Sequence, residues 1–519
     1  MLSSLPSWIL RLICRLALAW PWLARKLSAL AINSSVNAVP HRPHPWSTVS
    51  DYVSWESLSD MRWSARHLPA KVLKNLPPSA EVARLFQRGD GQQRLCPKST
   101  CLFPAFAQYL TDGFIRTRMP NSSARESQDL RKQNTSNHQI DLCPLYGRTI
   151  EQTAALRLGS EVAGQRGRLK SQRIGGEEYP PFLYKVGAVD PQFAALDPPI
   201  GLDNVPAALL PTLFAVGGDR VNTAPQVAMI NTLFLREHNR LAGLLERSHP
   251  GWDDERVFQT ARNCVIVMFI KIVVEEYINH ISPSIRFIAD PSVAWNAPWN
   301  KPNWITTEFS LLYRWHSLMP DEIAWGPRTY PLARTFWNNP LLIESGLERS
   351  FTGIAAQRAG RLGAFNTNSA LLPREISAIE QGRLCQLASF ADYKEYATSP
   401  RPTKFSDFSA DPRVAALLQS LYKSVDDVEF YVGLFAEDTV PDSPLPPLIL
   451  RMVAVDAFSQ ALTNPLLSEH VYQPETFAEG WEVIAKTGSL RDVLARNLPS
   501  ADPALAHVGM TREGWVPQA

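Results

Sequence analysis

The 519-residue chain is 45% hydrophobic and 20% charged, enough to bury a large core as one big domain or two to four ordinary ones. Its 52 Lys and Arg against 50 Asp and Glu leave a net charge of +2, which gives no electrostatic case for nucleic acid as a partner. The 15 Trp, 22 Phe and 13 Tyr argue against a disordered chain, and the 42 Pro point to helices joined by long, stiffened loops.

Residues 7–31 form an apolar run interrupted by Arg11 and Arg15. A membrane span needs about 20 mostly apolar residues, and an arginine in its middle is costly. On a helical wheel Arg11, Arg15, Arg25 and Lys26 fall within roughly 100° of one another, opposite Ile9, Ile13, Leu16, Trp20 and Leu27. A basic, Trp-bearing amphipathic helix of this kind lies in the plane of a membrane surface. A core helix or a degenerate signal peptide is the alternative. Residues 33–48, rich in Ser, Asn and Pro, read as a linker. The expected organisation is therefore a membrane-associating segment and linker over 1–48, peripheral and monotopic, followed by one domain over 49–519. No later segment approaches a clean span, since the apolar run 264–274 is short and contains Lys271.

Residues 118–140 are polar and predict an exposed loop. Helical periodicity marks 102–116, 226–248, 256–282, 306–319, 340–358, 411–423, 450–462 and 480–496. Alternating runs are few and short, so the fold class is mainly α. There are no repeats and no glycine-rich phosphate loop. The cysteines make no disulfide scaffold. Cys96 and Cys101 could bridge, but they are not a CxxC pair, and free thiols are the preferred reading.

Three helical segments carry chemistry. In CLFPAFAQYLTDGFIRTR (101–118), Gln108 and Asp112 are four apart and share a helix face. An amide and a carboxylate facing an apolar pocket are unfavourable unless paired or used, and a plain surface helix is the equal alternative. In 214–245, Arg220 stands near the entry of a long helix, and Arg236, Glu237 and His238 form a polar cluster on it. Taken locally, that cluster is a buried ion network orienting the helix. In EFSLLYRWHSLMPD (308–321), Tyr313 and His316 are three apart and point to one side of a predicted helix. Alone, His316 is best read as a satisfied core histidine. A neutral imidazole with a tyrosine one turn away also suits an axial haem ligand beside a redox-active phenol.

Together FAQYLTDGF, NTLFLREHNRLA and LLYRWHSLMP resemble the animal haem peroxidase and cyclooxygenase superfamily. The resemblance runs through YVSWESLSDMRWSARHLP (52–69), IDLCPLYGRTIEQTAALRLG (140–159), RIGGEEYPP (173–181), DDVEFYVGLFAED (426–438), MVAVDAFSQALTNPLLS (452–468) and IAKTGSLRDVLARN (484–497). It covers nearly the whole chain. LREHNR is broad in the superfamily, whereas a Tyr three before the His points to the fatty-acid-oxygenating branches.

The resemblance implies a mainly α haem peroxidase domain with roles for particular residues. His316 matches the proximal iron ligand, Tyr431 a tyrosine behind it, and Tyr313 the catalytic tyrosine. In that family the tyrosine becomes a radical that takes hydrogen from an unsaturated fatty acid, and dioxygen then adds to the carbon. Gln108 and Arg220 match the distal glutamine and arginine, but Asp112 stands at the distal histidine position. An aspartate of ordinary pKa, about 4, is a weaker base than histidine near neutrality. Either Asp112 is the distal acid–base, with Arg220 stabilising negative charge on a peroxide, or peroxidase function is demoted. His138 is a less favoured substitute. Thr111 and Thr223 stand where secreted peroxidases carry the carboxylates of haem ester links, which implies non-covalent haem b. Gly113 stands at a calcium-ligand position.

In the substrate channel, Ser459 matches the serine near the catalytic tyrosine, and Ile278 and Ser284 are placed along the same channel. Ser284 takes the position of a carboxylate-binding tyrosine. The region matched to the anchoring arginine, INSSVNA (32–38), has none. Arg286 is a substitute or, preferably, a surface residue. The cyclooxygenase relatives are dimers, which makes a homodimer an expectation. The implied function is haem-dependent oxygenation of an unsaturated fatty acid. A haem peroxidase using small donors, with Tyr313 structural, is the second reading, and a haem protein without turnover the third.

Overall fold

The computed structural model describes residues 20–37, 60–89, 91–118, 131–498 and 503–515. The elements that bear on the site are α1 (Pro21–Val36), β1 (Leu95–Thr100), α2 (Leu102–Phe114), α3 (Pro225–Ser248), α4 (Asp254–Ile272), α5 (Thr307–Leu312), β2 (Arg358–Gly360), α6 (Leu372–Leu384), α7 (Phe430–Ala436), α8 (Pro447–Leu462) and α9 (Leu490–Asn497). Strands occur only as four two-stranded antiparallel ribbons among the described residues, β1–β2 being one. The architecture is mainly α.

The core is built on α3 and α4, which pack on each other, with α2 against α3. α3 opens on Pro225, whose fixed φ suits a first helical turn. Its residues are buried almost all round, as befits a helix at the centre of a large protein. α4 widens into a π-helical turn over Val273–Ile278, then returns to α geometry over Asn279–Ile281. The run Asp254–Ile281 is long and apolar enough to cross a membrane, yet 78% of its most apolar window is buried inside the protein.

The polar cluster of α3 is a buried network. Glu237, wholly buried, accepts hydrogen bonds from Arg240 at 2.8 and 2.9 Å, Arg496 at 3.1 Å and Asn497 at 2.6 Å, which ties α3 to α9. His238 donates from Nε2 to the Gly167 carbonyl at 2.8 Å and accepts the Tyr146 hydroxyl at Nδ1, 2.9 Å away. Burial pushes its pKa down to about 3, so it is neutral. Arg236 bonds Glu177 and the Glu178 carbonyl, both at 2.8 Å. These three residues hold the scaffold together.

Several sequence expectations are corrected. The single helix expected over 306–319 ends at Leu312; Tyr313 leaves helical geometry at ψ 20°, and a short 3-10 turn resumes at His316–Leu318. Trp315 sits at ψ 48°, where its ring stacks on Tyr313 and on Phe103 of α2. Met319, just before Pro320, is extended, as a proline demands of its predecessor. The helix expected over 340–358 is cut at Gly346, where φ is +75° and a side chain would strike Glu177. The described part of the expected loop, 131–140, is folded inward: Lys132, Gln133, Asn134 and Ser136 are buried. Cys96 and Cys101 are free and buried.

At the N-terminus, residues 1–19, which carry much of the predicted amphipathic helix, lie outside the described residues. α1 buries Ser28, Ala31, Ile32 and Val36 against α8, so its inner face is part of the core, and the helix reaches four residues into the stretch read as linker. Trp20, Trp22 and Leu30 remain more than half exposed.

Removing a buried charge partner leaves the others uncompensated and costs about 3–5 kcal/mol. Glu237→Ala is expected to lower the unfolding midpoint by an amount of that order, measured by denaturation. A midpoint within error of wild type contradicts the clamp.

Candidate active site

α2 presents Gln108 and Asp112 on one face, one turn apart. The Gln108 amide donates to the Thr223 hydroxyl at 3.0 Å, and that hydroxyl donates to the Arg220 carbonyl at 2.6 Å. Arg220 donates to the Ile115 carbonyl at 2.7 Å, and its guanidinium lies 3.6 Å from Asp112 Oδ1. Asp112 Oδ2 is buried and has no partner among the described residues. Burial pushes this carboxyl up to about 6, against the pull of Arg220. The expectation of an ordinary aspartate is thereby corrected, because desolvation brings the group close to the working range of a histidine.

A ring of charge supports this corner. Arg148 bonds Asp219 at 3.4 Å and the Asp112 carbonyl at 3.4 Å, and Arg116 bonds Asp219 at 3.0 Å. Although desolvation acts to raise it, Asp219 stays below its ordinary value because three arginines surround it.

Other sequence candidates fall elsewhere. His138 is placed against the Met61 carbonyl at 2.7 Å and the Ile305 amide at 2.9 Å, so both ring nitrogens are committed and it has no distal role. Thr111 donates to the Ala107 carbonyl at 2.9 Å, and Thr223 holds Gln108. The Gly113 carbonyl accepts from Ser136 at 2.6 Å and Cys143 at 2.8 Å.

His316 opens the 3-10 turn beyond α5. Its Nδ1 lies 3.1 Å from Glu375 Oε1, with the ring turned out of hydrogen-bond alignment. Tyr431 of α7 donates to the other oxygen of Glu375 at 2.5 Å. Tyr431 thus reaches His316 through a carboxylate. Between the two clusters is Arg314, half-buried; it donates to Ser310 at 3.2 Å, and its buried Nε has no partner among the described residues. Burial pulls its pKa down to about 10, Arg220 adds to that, and Tyr431, Asp112 and Glu375 oppose it. Arg314 therefore feels both sides of the site.

Tyr313 is packed between Phe309 and Trp315, each ring centre 4.8 Å away. Its hydroxyl is turned toward that of Tyr277, on the π-helical turn, without an aligned hydrogen bond. Burial holds both phenols well above their usual pKa. Ile278, next to Tyr277, is buried. Ser459 of α8 is buried and donates to the carbonyls of Asp456 at 2.7 Å and Val455 at 3.1 Å. The Asp456 charge bears on Tyr313, and its carboxylate bonds His67 at 3.0 Å. Ser284 lies half-buried on the loop after α4, and this loop meets α1 where the Ile288 amide donates to Ser28 at 3.0 Å. Arg286 is exposed, in keeping with the surface reading.

Sequence reasoning missed Glu375, Arg314, Tyr277 and the Asp456–His67 pair. Arg314 and Tyr277 lay inside the segments singled out for their neighbours. Glu375 had a signal, an acid in the first turn of an otherwise mixed helix, but nothing in the sequence joined it to His316.

A helix-borne amide and carboxylate beside an arginine, and a histidine backed by a carboxylate, are the residue types a haem-peroxidase centre would use, in a mainly helical fold. Comparison with known proteins agrees. Residues 96–508 match the animal haem peroxidase family. The chain is 32% identical over 491 residues to prostaglandin G/H synthase 1 of Rattus norvegicus, across 91% of this chain and 76% of that one. Among solved structures it is similar to fatty acid alpha-dioxygenase of Arabidopsis thaliana (TM-score 0.68, 14% identity, 100% and 92% of the two chains). It is also similar to peroxidase A of Dictyostelium discoideum (TM-score 0.65, 18% identity, 92% and 96%). The chain belongs to the animal haem peroxidase family, on its cyclooxygenase-like branch, and is a haem-dependent oxidoreductase.

The residues present fit that cofactor. Asp112 Oδ2, Arg314 Nε and His316 Nδ1 are buried polar atoms without protein hydrogen bonds, and two neighbouring guanidiniums, Arg220 and Arg314, call for an anion such as a haem carboxylate.

Because Asp112 titrates near 6 when folded and near 3.8 otherwise, the folded state binds the extra proton between these values. Stability therefore falls as pH rises from about 4 to about 6. Before haem loading, Asp112→Asn is expected to exceed wild-type stability at neutral pH by roughly 3 kcal/mol, the gap closing toward pH 4. A gap that does not vary with pH contradicts a desolvated carboxyl.

Proposed function

We propose that the protein is a fatty-acid dioxygenase that works through a radical on Tyr313 and yields a hydroperoxide. The observation that carries this reading is the setting of Tyr313. It is a half-buried phenol three residues before His316, in a cage of aromatic rings, with its hydroxyl turned to a second phenol, Tyr277, that is fully buried. Haem bound through His316 supplies one-electron oxidation.

Tyr313 gives up an electron and its phenolic proton together, both passing to the oxidant, which leaves a phenoxyl radical. The phenoxyl radical then takes a hydrogen atom from an unsaturated fatty acid and becomes phenol again. Dioxygen adds to the carbon radical. The resulting peroxyl radical recovers a hydrogen atom from Tyr313, which renews the tyrosyl radical. The net change is one C–H bond and one dioxygen converted to one hydroperoxide. The apolar packing around Tyr313 excludes water from these steps.

On the other side, Asp112 holds or returns a proton and Arg220 stabilises negative charge, as activation by a peroxide requires. Haem b is held without covalent links, since Thr111 and Thr223 offer no carboxylate and their hydroxyls are engaged. Ile278 and Ser284 line the path toward Tyr313, and Ser459 supports its wall through the backbone of α8. The entrance lies where α1 meets the loop after α4, and α1 rests on a membrane surface through Trp20, Trp22 and Leu30. A second reading, a peroxidase with small donors and a structural Tyr313, is favoured by the raised pKa of Asp112.

Tyr313→Phe separates the two. With haem loaded, the variant is expected to lose at least tenfold in dioxygen uptake with unsaturated fatty acids while still consuming peroxide. Undiminished uptake overturns the radical role.

A further inference from the structure

The residue behind the proximal histidine is a carboxylate, and nothing in the sequence motifs accounts for it. Glu375 stands in the first turn of α6 and is 1% exposed. Its two oxygens are shared by three groups. Oε1 accepts the Thr367 hydroxyl at 3.0 Å and lies 3.1 Å from His316 Nδ1. Oε2 accepts the Tyr431 hydroxyl at 2.5 Å. Among the described residues, His316 is the one side chain able to carry positive charge that lies within ion-pair distance of it.

A buried carboxylate met only by hydroxyls is poorly compensated, so it depends on the imidazole and on positive charge beyond it. An imidazole bound to a metal through one nitrogen donates more strongly when its other N–H is held by a carboxylate, and its ring orientation is then fixed. A small rotation of the His316 ring brings Nδ1–H into line with an oxygen already at hydrogen-bond distance.

We propose that Glu375 is the positioning residue of the proximal histidine, orienting the His316 ring and making it a more electron-rich iron ligand, with Tyr431 holding that carboxylate in check. This rests on the reading of His316 as the iron ligand. The donor counterweight of Tyr431 follows from sharing: its hydroxyl draws on the same negative charge that His316 Nδ1–H would use. Removing the carboxylate and removing the phenol must therefore act in opposite directions. A merely structural role would not give opposite signs.

The test uses the haem-loaded full chain. The iron–histidine stretching band of the ferrous protein is read by resonance Raman, and the ferric/ferrous midpoint by spectroelectrochemistry. Glu375→Gln is expected to lower the band frequency and raise the midpoint; Tyr431→Phe is expected to raise the frequency and lower the midpoint. No shift in Glu375→Gln, or shifts of the same sign in both variants, overturns the proposal. If Glu375→Gln fails to take up haem, Tyr431→Phe decides alone: a lowered midpoint supports the role and an unmoved or raised one refutes it. A band in wild type that survives His316→Ala shows instead that another residue binds iron, and the proposal then falls with the reading it rests on.

Discussion

Charge held partly or wholly out of reach of water organises the centre of this protein. Asp112 and Arg220, Arg314, and the pair His316 and Glu375 are ionisable groups gathered in an interior otherwise made of aliphatic and aromatic side chains. Each such group costs several kcal/mol to desolvate unless paired. The pairing present is incomplete. The Asp112 carboxyl responds by rising to about 6, and the Arg314 guanidinium by falling to about 10. Incomplete pairing at this depth marks a place where another charged group belongs. A planar cofactor with a cationic metal and two carboxylates meets both needs. In the proposed function the metal would answer the histidine with its carboxylate, and the cofactor's carboxylates would answer the arginines.

The scaffold keeps these groups apart until then. α3 is clamped by Glu237, His238 and Arg236 to α9 and to the 167–178 segment, so that Thr223, just before α3, can fix Gln108. On the other side, the break after Leu312 sends Tyr313 and His316 in different directions. A continuous helix would put both on one face, as the spacing alone suggests. The break lets the phenol turn toward Tyr277 while the imidazole turns toward Glu375. The separation of the Tyr313 phenol from the His316 imidazole, only three residues away, is a product of that local unwinding and of the stacking of Trp315 on Tyr313.

The helical class of the fold was legible from periodicity, and so was the polar stripe of α3, because these are properties of neighbouring residues. The amide and carboxylate of α2 were legible for the same reason. What escaped were contacts made across long stretches of chain. Glu375 meets His316 from 59 positions away, and Asp456 meets His67 across 389. The pKa of Asp112 was misjudged because burial is a tertiary property. Helix ends were misplaced at Gly346, whose positive φ cuts the chain beside Glu177, and after Leu312, where Trp315 stacks on Tyr313 and Phe103. At the N-terminus the wheel pattern predicted an amphipathic helix, more than half of which lies outside the described residues, and the sequence alone did not reveal that Ala31, Ile32 and Val36 would join the core.

The central claim is that His316 holds the haem iron in this charged interior. The most direct measurement is the absorption spectrum of haem-loaded His316→Gly with and without added imidazole. The account predicts loss of the histidine-ligated spectrum in the variant and its return when imidazole fills the vacated place. A variant that binds haem with the wild-type spectrum and ignores imidazole would contradict it.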